Sequence, residues 1–292
     1  MSAAAIQVAM RRLRRADFPE LLRQIHDPPR VLFLRGATDA DVLAGPAVAI
    51  VGARACSPYG AQVARMLGRE LAAAGLVVVS GLARGVDGEA HRGALEAEGV
   101  TVAVLGCGID RDYPAAHAEL ARRICERGLV VSEYEPGVEP APWRFPARNR
   151  IIAGLAAVTV IVEARERSGA LITADFALED GREVFAVPGE ITGSLATGTN
   201  RLLRQGAAPL TEVDDVLELF GLAASQRPRA PTVGASAAAV LERLADGAAS
   251  ADELARATGL EPGPLAAALA ELELAGLLAE ADGRYRGVGR PG

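Results

Sequence analysis

The stretch VVVSGLARGVDGEAH, Val77–His91, decides the fold class. Val77, Val78 and Val79 form a continuous apolar run, the pattern of a strand covered on both faces. The run ends in a turn punctuated by Gly81 and Gly85, which reach backbone geometry closed to other residues. A helix is predicted over Asp87–Glu98, and its first amides and partial positive charge point back at the turn. Strand, glycine turn and helix in that order make a phosphate cradle, with Ser80 at the strand end and Arg84 as its charged arm.

Outward from this unit the same rhythm recurs. Apolar strands are predicted at VAIVG from Val48, LVVVS from Leu76, VTVAVLG from Val100, LVVSE from Leu129, VTVIVE from Val158 and EVFAVPG from Glu183. Between them lie helix-length stretches rich in alanine, leucine and arginine, such as Gly60–Ala74 and Ala115–Arg127. The alternation predicts an α/β fold, a mainly parallel sheet wrapped by helices, with ligands at the carboxyl ends of the strands. Those ends carry Gly52, Ala53 and Arg54, then Ser80 and Gly81, Gly106 and Gly108, Ser132 and Glu133, and Glu163. Five such ends in register predict a continuous site along one edge of the sheet, although an ordinary tight turn accounts for any one glycine alone. GARACSPYG does not read GxGxxG and no acid follows the second strand to hold a ribose, so neither NAD nor another cofactor is expected.

Half of the 292 residues are apolar, enough for one large domain and a small one. No apolar run reaches the roughly 18 residues of a membrane span, and the start containing Arg11, Arg12, Arg14 and Arg15 lacks a following apolar stretch and cleavage site. A cytoplasmic protein with no membrane partner is expected. Cys56, Cys107 and Cys125 show no CxxC spacing and the three histidines are scattered, so neither disulfides nor a metal site is expected.

All 31 basic residues are arginine. The absence of lysine removes Schiff-base chemistry and the Walker A lysine. Arginine suits bidentate phosphate contacts and stacking on bases, though an arginine-only chain also follows from a GC-rich genome. The net charge is −6, yet Met1–Arg35 holds seven arginines against three acids, and Thr232–Gly292 five against nine. An acidic total leaves nucleic acid open as a partner if the arginines gather on one face.

WRFPARNRIIAGLA, Trp143–Ala156, sets Arg144, Arg148 and Arg150 around Phe145 and Asn149 immediately before an apolar helix. Guanidinium groups, an aromatic face and helix-start amides in one short turn are the chemistry that binds unpaired strands. The alternative is that Trp143 and Phe145 anchor the core while the arginines pair with Glu133, Glu135 and Glu139. In ERSGALITADFAL, Ser168 and Gly169 open another helix and mark a further phosphate site. Glu163, Asp87 and His91 remain ambiguous: a carboxylate after a strand also caps a helix or pairs with Arg148, and a lone histidine early in a helix is commonly a packed residue. None is read as catalytic.

The ordered set GAR with Ser57, Tyr59 and Gly60, SGLARGVD with Ala90 and His91, VLGCGIDRDYP, SEY, FPARNRIIAGL, VEA, SGALITA, GREVFAVPG and GTNRLLRQGA resembles the DNA-processing protein A family (DprA/Smf). The resemblance runs from about Phe18 to Phe220. It implies an extended Rossmann-like domain that binds single-stranded DNA, a homodimer, and a non-enzymatic mediator that protects incoming strands and loads the RecA recombinase during natural transformation. It also implies DNA contacts at Gly52, Arg54, Ser80, Gly81, Arg84, Phe145, Arg148, Asn149, Ser168 and Gly169. Members often begin with a sterile-alpha-motif-like or helix-hairpin-helix module, which is not expected here because matching sequence starts at Phe18. Contacts made by lysine in relatives do not carry over.

The expected organisation is an arginine-rich lead-in (1–45) that ends in the short strand-like VLFLRG of Val31–Gly36, the Rossmann-like DNA-binding domain (46–222), a linker (223–234) and a winged-helix-like domain (235–288). In the last, AAAVLERLADG, SADELARATGL and EPGPLAAALAELELAGLL read as three helices, with a Ser250/Glu253 capping box and Pro262 early in the third, and AEADGRYRGV as a strand pair turning at Asp282 and Gly283. Its expected recognition helix, Pro264–Ala275, contains no arginine, which favours an auxiliary or protein-contact role over major-groove reading; Arg284 and Arg286 on the wing remain available to a DNA backbone. Two other classes stay open: a nucleotide-binding phosphoribohydrolase, although VPGEITG lacks that family's PGGxGT loop, and a winged-helix DNA-binding regulator.

Overall fold

The computed structural model of the chain describes residues 10–222, 233–281 and 283–287. Residues 1–9 of the expected lead-in, residues 223–232 of the expected linker, Asp282 of the expected turn and residue 288 lie outside them. Two units divide the chain, Met1–Arg227 and Pro228–Gly292.

In chain order the first unit begins β1 (Arg11–Arg14), α1 (Glu20–Gln24), β2 (Val31–Arg35), β3 (Ala47–Val51), α2 (Pro58–Ala73), β4 (Val77–Ser80) and α3 (Val86–Glu96). It continues β5 (Thr101–Val104), α4 (Ala118–Arg127), β6 (Leu129–Ser132), α5 (Arg144–Gly154), β7 (Val158–Ile161) and α6 (Gly169–Glu179). It closes with β8 (Glu183–Ala186), α7 (Thr197–Arg204), β9 (Ala208–Pro209) and α8 (Asp214–Leu217). The nine strands form one sheet in the order β1-β2-β6-β5-β4-β3-β7-β8-β9. All neighbours from β6 to β9 are parallel, while β1–β2 and β2–β6 are antiparallel.

The six predicted strands are β3 to β8, and their apolar runs are continuous because both faces are covered. In β3, Ala47, Ala49 and Val51 join a core with Leu22, Ile151, Ile152 and Ala174 from α1, α5 and α6. Val48 and Ile50 join the opposite core with Leu67, Leu71, Ala90 and Val216 from α2, α3 and α8. The strand-like VLFLRG is β2, and β1, which was not expected, pairs with it, so that both extend the sheet beyond β6. Pairing satisfies the outer edge of β6, and the arginines of β1 leave a charged edge that discourages further strand addition.

The second unit holds α9 (Ala235–Leu244), β10 (Ala249–Ser250), α10 (Ala251–Thr258), α11 (Pro262–Leu274), β11 (Leu278–Ala281) and β12 (Arg284–Gly287). Three antiparallel strands in the order β10-β12-β11 and three helices close on Val240, Leu244, Leu254, Leu265, Leu269 and Leu272. The Ser250 hydroxyl accepts the Glu253 amide at 3.3 Å while the Glu253 carboxylate accepts the Ser250 amide at 2.7 Å, the reciprocal cap read from the sequence.

Candidate nucleic-acid interface

Strand addition reverses at β3: β4, β5 and β6 lie on one side, β7, β8 and β9 on the other. Helices leaving such a point diverge and open a crevice at the strand ends. Here it is a cleft of about 300 Å³ lined by Val51–Ala55 after β3, Ala83 and Asp87 after β4, Phe145, Arg148 and Asn149 of α5, and Arg165, Arg167, Ser168 and Gly169 before and at the start of α6.

The cradle in the Val77–His91 turn is already filled by the protein's own anion. The Asp87 carboxylate accepts the Gly81 amide at 3.2 Å and the Ala83 amide at 3.4 Å, with the Gly52 amide also bonded to it. Burial pushes this carboxyl up from its ordinary value, opposed by the Arg148 guanidinium and by those amides. Gly85 turns the chain into α3 at φ 73°, a left-handed geometry that favours glycine. Gly81 is required by close approach, since a Cβ there collides with the Arg148 guanidinium and the Asp87 carboxylate.

Three of the expected contacts are engaged in the protein's own hydrogen bonds. Ser80 is 0% exposed, and its hydroxyl donates to the Ile50 carbonyl at 2.6 Å, tying β4 to β3. Arg148 is only 5% exposed. Its Nη1 donates to the Gly81 carbonyl at 2.5 Å and to the Val104 carbonyl, and its Nε to Asn149 Oδ1 at 3.3 Å. Burial lowers its pKa to about 10, with Asp87 acting in the opposite direction. Gly81 has its amide bound by Asp87 and its carbonyl by Arg148. Arg84 is exposed but is not among the residues lining the cleft.

The other expected residues converge. Arg54 is exposed, with its guanidinium 5.3 Å from the centre of the Phe145 ring, whose stacking partner is Tyr113 at 5.2 Å and 23°. Asn149 donates to the Gly169 carbonyl at 3.0 Å and so fastens α5 to the start of α6. Ser168 accepts the Ala170 amide at 3.3 Å as the α6 cap, and the space where a Gly169 side chain would stand is open. Arg165 and Arg167, which the sequence reading did not single out, are exposed and line the cleft next to this helix start. Their signal was their place directly before the Ser168 cap, where cations and free amides act on one anion.

Glu163 proves to be a brace. Its carboxylate accepts the Ser57 amide at 2.8 Å and the Ser57 hydroxyl at 2.5 Å, holding the loop that carries Arg54. His91 is buried, and its Nδ1 lies 2.7 Å from the Thr101 hydroxyl, which itself donates to the Val78 carbonyl; Nδ1 therefore carries the hydrogen. The predicted edge-long site contracts to the ends of β3, β4 and β7. At the β5 end Gly106 lies beneath Phe145, and at the β6 end Ser132 donates to the Cys107 carbonyl at 2.6 Å and Glu133 pairs with Arg150 at 2.7 Å. Among the described residues no His, Cys, Asp and Glu cluster is placed to hold a metal, and no helix is long and apolar enough to cross a membrane.

The family model described as DNA recombination-mediator protein A matches residues 10–221, and that of the DprA winged helix domain matches residues 223–284. The chain belongs to the DprA family. A putative DprA of Mycobacterium tuberculosis is 44% identical over 266 residues, covering 88% of this chain and 68% of the relative. DprA of Streptococcus pneumoniae is 46% identical over 203 residues, covering 70% and 71%, and protein Smf of Escherichia coli is 39% identical over 279 residues, covering 92% and 74%. Among solved DprA structures, the Streptococcus pneumoniae protein superposes with TM-score 0.68 at 44% identity, covering 73% of this chain and 74% of that one. The Helicobacter pylori protein, whose structure concerns its single-stranded DNA binding mode, gives 0.66 at 33% identity over 73% and 96%. Family membership accounts for the Rossmann-like sheet and the winged helix together.

In the winged helix, the exposed face of α11 presents Ala266, Ala267, Ala270, Glu271, Glu273 and Leu274, with no cation. Arg284 of the wing is engaged within its own unit, paired with Glu253 at 3.4 Å and donating to the Ala248 carbonyl at 2.5 Å.

Proposed function

We propose that the cleft binds single-stranded DNA and that the protein is a recombination mediator, which holds and protects incoming strands and passes them to the RecA recombinase during natural transformation. The observation that carries this reading is that exposed Arg54, Arg165 and Arg167 line one cleft together with Phe145 and the open start of α6. Guanidinium groups and helix amides suit phosphates, and the ring–guanidinium stack suits unpaired bases. The DNA-contacting set is Gly52, Arg54, Phe145, Ser168 and Gly169 with Arg165 and Arg167, while Arg148, Asn149, Gly81 and Ser80 hold the cleft's shape and Arg84 adds charge beside it.

No enzymatic step is assigned. Asp87, which lines the cleft, and Glu163 after β7 are engaged by backbone amides and by Ser57, which disfavours the phosphoribohydrolase reading. The cation-free face of α11 disfavours a DNA-reading regulator and supports an auxiliary role for residues 235–288. A cytoplasmic homodimer is the working assembly. The direct test is fluorescence anisotropy of labelled oligo(dT) against the matching duplex at several salt concentrations, followed by RecA filament formation on the bound strand. Salt-dependent preference for the single strand, and faster filament formation, are the expected results. Equal affinity for duplex refutes the cleft assignment, and unchanged filament formation refutes the mediator role.

A further inference from the structure

Trp143 is the one tryptophan of the chain and is 63% exposed. An indole is a large apolar surface that folding ordinarily hides, yet here it stands at the threshold of α5, outside the cleft lining. The adjacent Arg144 guanidinium lies 4.7 Å from the Trp143 ring and 5.1 Å from the Tyr134 ring, and its Nη1 donates to the Glu139 carbonyl. The indole thus has a guanidinium fixed against it while most of its surface faces water. The next residue, Phe145, anchors the stack with Tyr113 and Arg54 at the cleft. Three consecutive residues at one helix start therefore support two ring–guanidinium stacks, one in the cleft and one beyond it.

We infer that Trp143, backed by Arg144 and Tyr134, is a second stacking subsite, which takes an unpaired nucleobase of a strand that runs out of the cleft. The inference rests on the reading of the cleft as a single-strand site. Continuity comes from the chain itself, since only Arg144 separates Trp143 from Phe145. The group left open selects the base as occupant. The Arg144 guanidinium is already stacked on the Trp143 and Tyr134 rings and bonded to the Glu139 carbonyl, so what remains open to a strand is the indole face, which suits an uncharged flat base. Stacking of this kind tolerates any base because every base has a π-face.

The test uses the full chain and 5′-labelled oligo(dT) of increasing length, with dye anisotropy and indole emission read on the same samples. Because the chain has a single tryptophan, emission reports this subsite alone. Once the strand outgrows the cleft, quenching of emission is expected. Trp143→Ala should weaken the longer strands about five-fold while leaving the shortest bound strand unchanged, and Trp143→Phe should restore most of the loss. An abasic nucleotide walked along the strand should relieve quenching at one position. Normal anisotropy binding with unquenched emission at every length, or with Trp143→Ala equal to the parent at every length, overturns the subsite and leaves the cleft reading intact. Absence of any anisotropy change overturns both.

Discussion

The Gly81 amide donates to the Asp87 carboxylate at 3.2 Å, and this one contact redirects the reading of the whole site. An internal carboxylate occupies the turn that would otherwise suit a phosphate, which leaves the start of α6 as the open helix end in the cleft. The Arg148 guanidinium then bridges the Gly81 and Val104 carbonyls beneath the cleft, with Asp87 as the opposing charge.

Arg148→Ala should therefore act on stability before it acts on affinity. Removing the guanidinium leaves the buried Gly81 and Val104 carbonyls without this donor and Asp87 held by amides alone, a loss of at least about 1–3 kcal/mol. Urea unfolding of parent and variant checks this. An unchanged midpoint with a flatter salt dependence of DNA binding would instead make Arg148 a phosphate ligand.

Arg54→Ala, Arg165→Ala and Arg167→Ala should show the reverse pattern, because all three side chains are exposed. Each should leave the melting temperature within a degree or two of the parent's, consistent with about ±0.5 kcal/mol for surface changes. Each should weaken oligo(dT) binding and reduce the slope of log K against log salt by about 0.7, the value for one phosphate on a single strand. Titrations at a series of salt concentrations measure that slope.

The two glycines of the site should separate. Gly81→Ala drives a methyl into Arg148 and Asp87 and should cost at least about 1–3 kcal/mol by overpacking. Gly169→Ala places its methyl in open space and should fold as the parent does, while obstructing the first amides of α6 and lowering affinity. Thermal melts and anisotropy on the same pair of variants decide both halves.

Acid should expose His91. Burial, aided by His117, Arg148 and Arg92, depresses its pKa from 6.5 to about 3, so the unfolded chain gains this proton first as pH falls. The stabilisation from keeping it neutral is fully present above pH 6.5 and is lost progressively down to about pH 3, at about 1.4 kcal/mol per pH unit. Unfolding free energies through that window should fall with this slope, and His91→Gln should flatten it by one proton.

The architecture was legible because each of its signals is local. Continuous valine runs such as Val77–Val79, the Ser250/Glu253 cap and the arginine-free α11 are read from neighbours a few residues apart. VLFLRG was legible as a strand, but its place was not, since β2 adds antiparallel to β6 about a hundred residues away, and the short, arginine-rich β1 that pairs with β2 leaves no apolar mark of its own. The motif set, being ordered along the chain, was sufficient to indicate the family.

Within the site, the sequence alone determined which residue types gather at the strand ends: arginines, Phe145, small residues and helix caps. Only the tertiary structure decided which of them face solvent. Arg148 and Arg167 are the same side chain in similar company, yet one is enclosed by carbonyls from two strands and the other opens on the cleft. Desolvation and hydrogen-bond partners set that difference, and both come from segments distant in sequence. The filling of the Gly81 turn by Asp87 and the outward stand of Trp143 arise in the same way, from packing that no local pattern encodes.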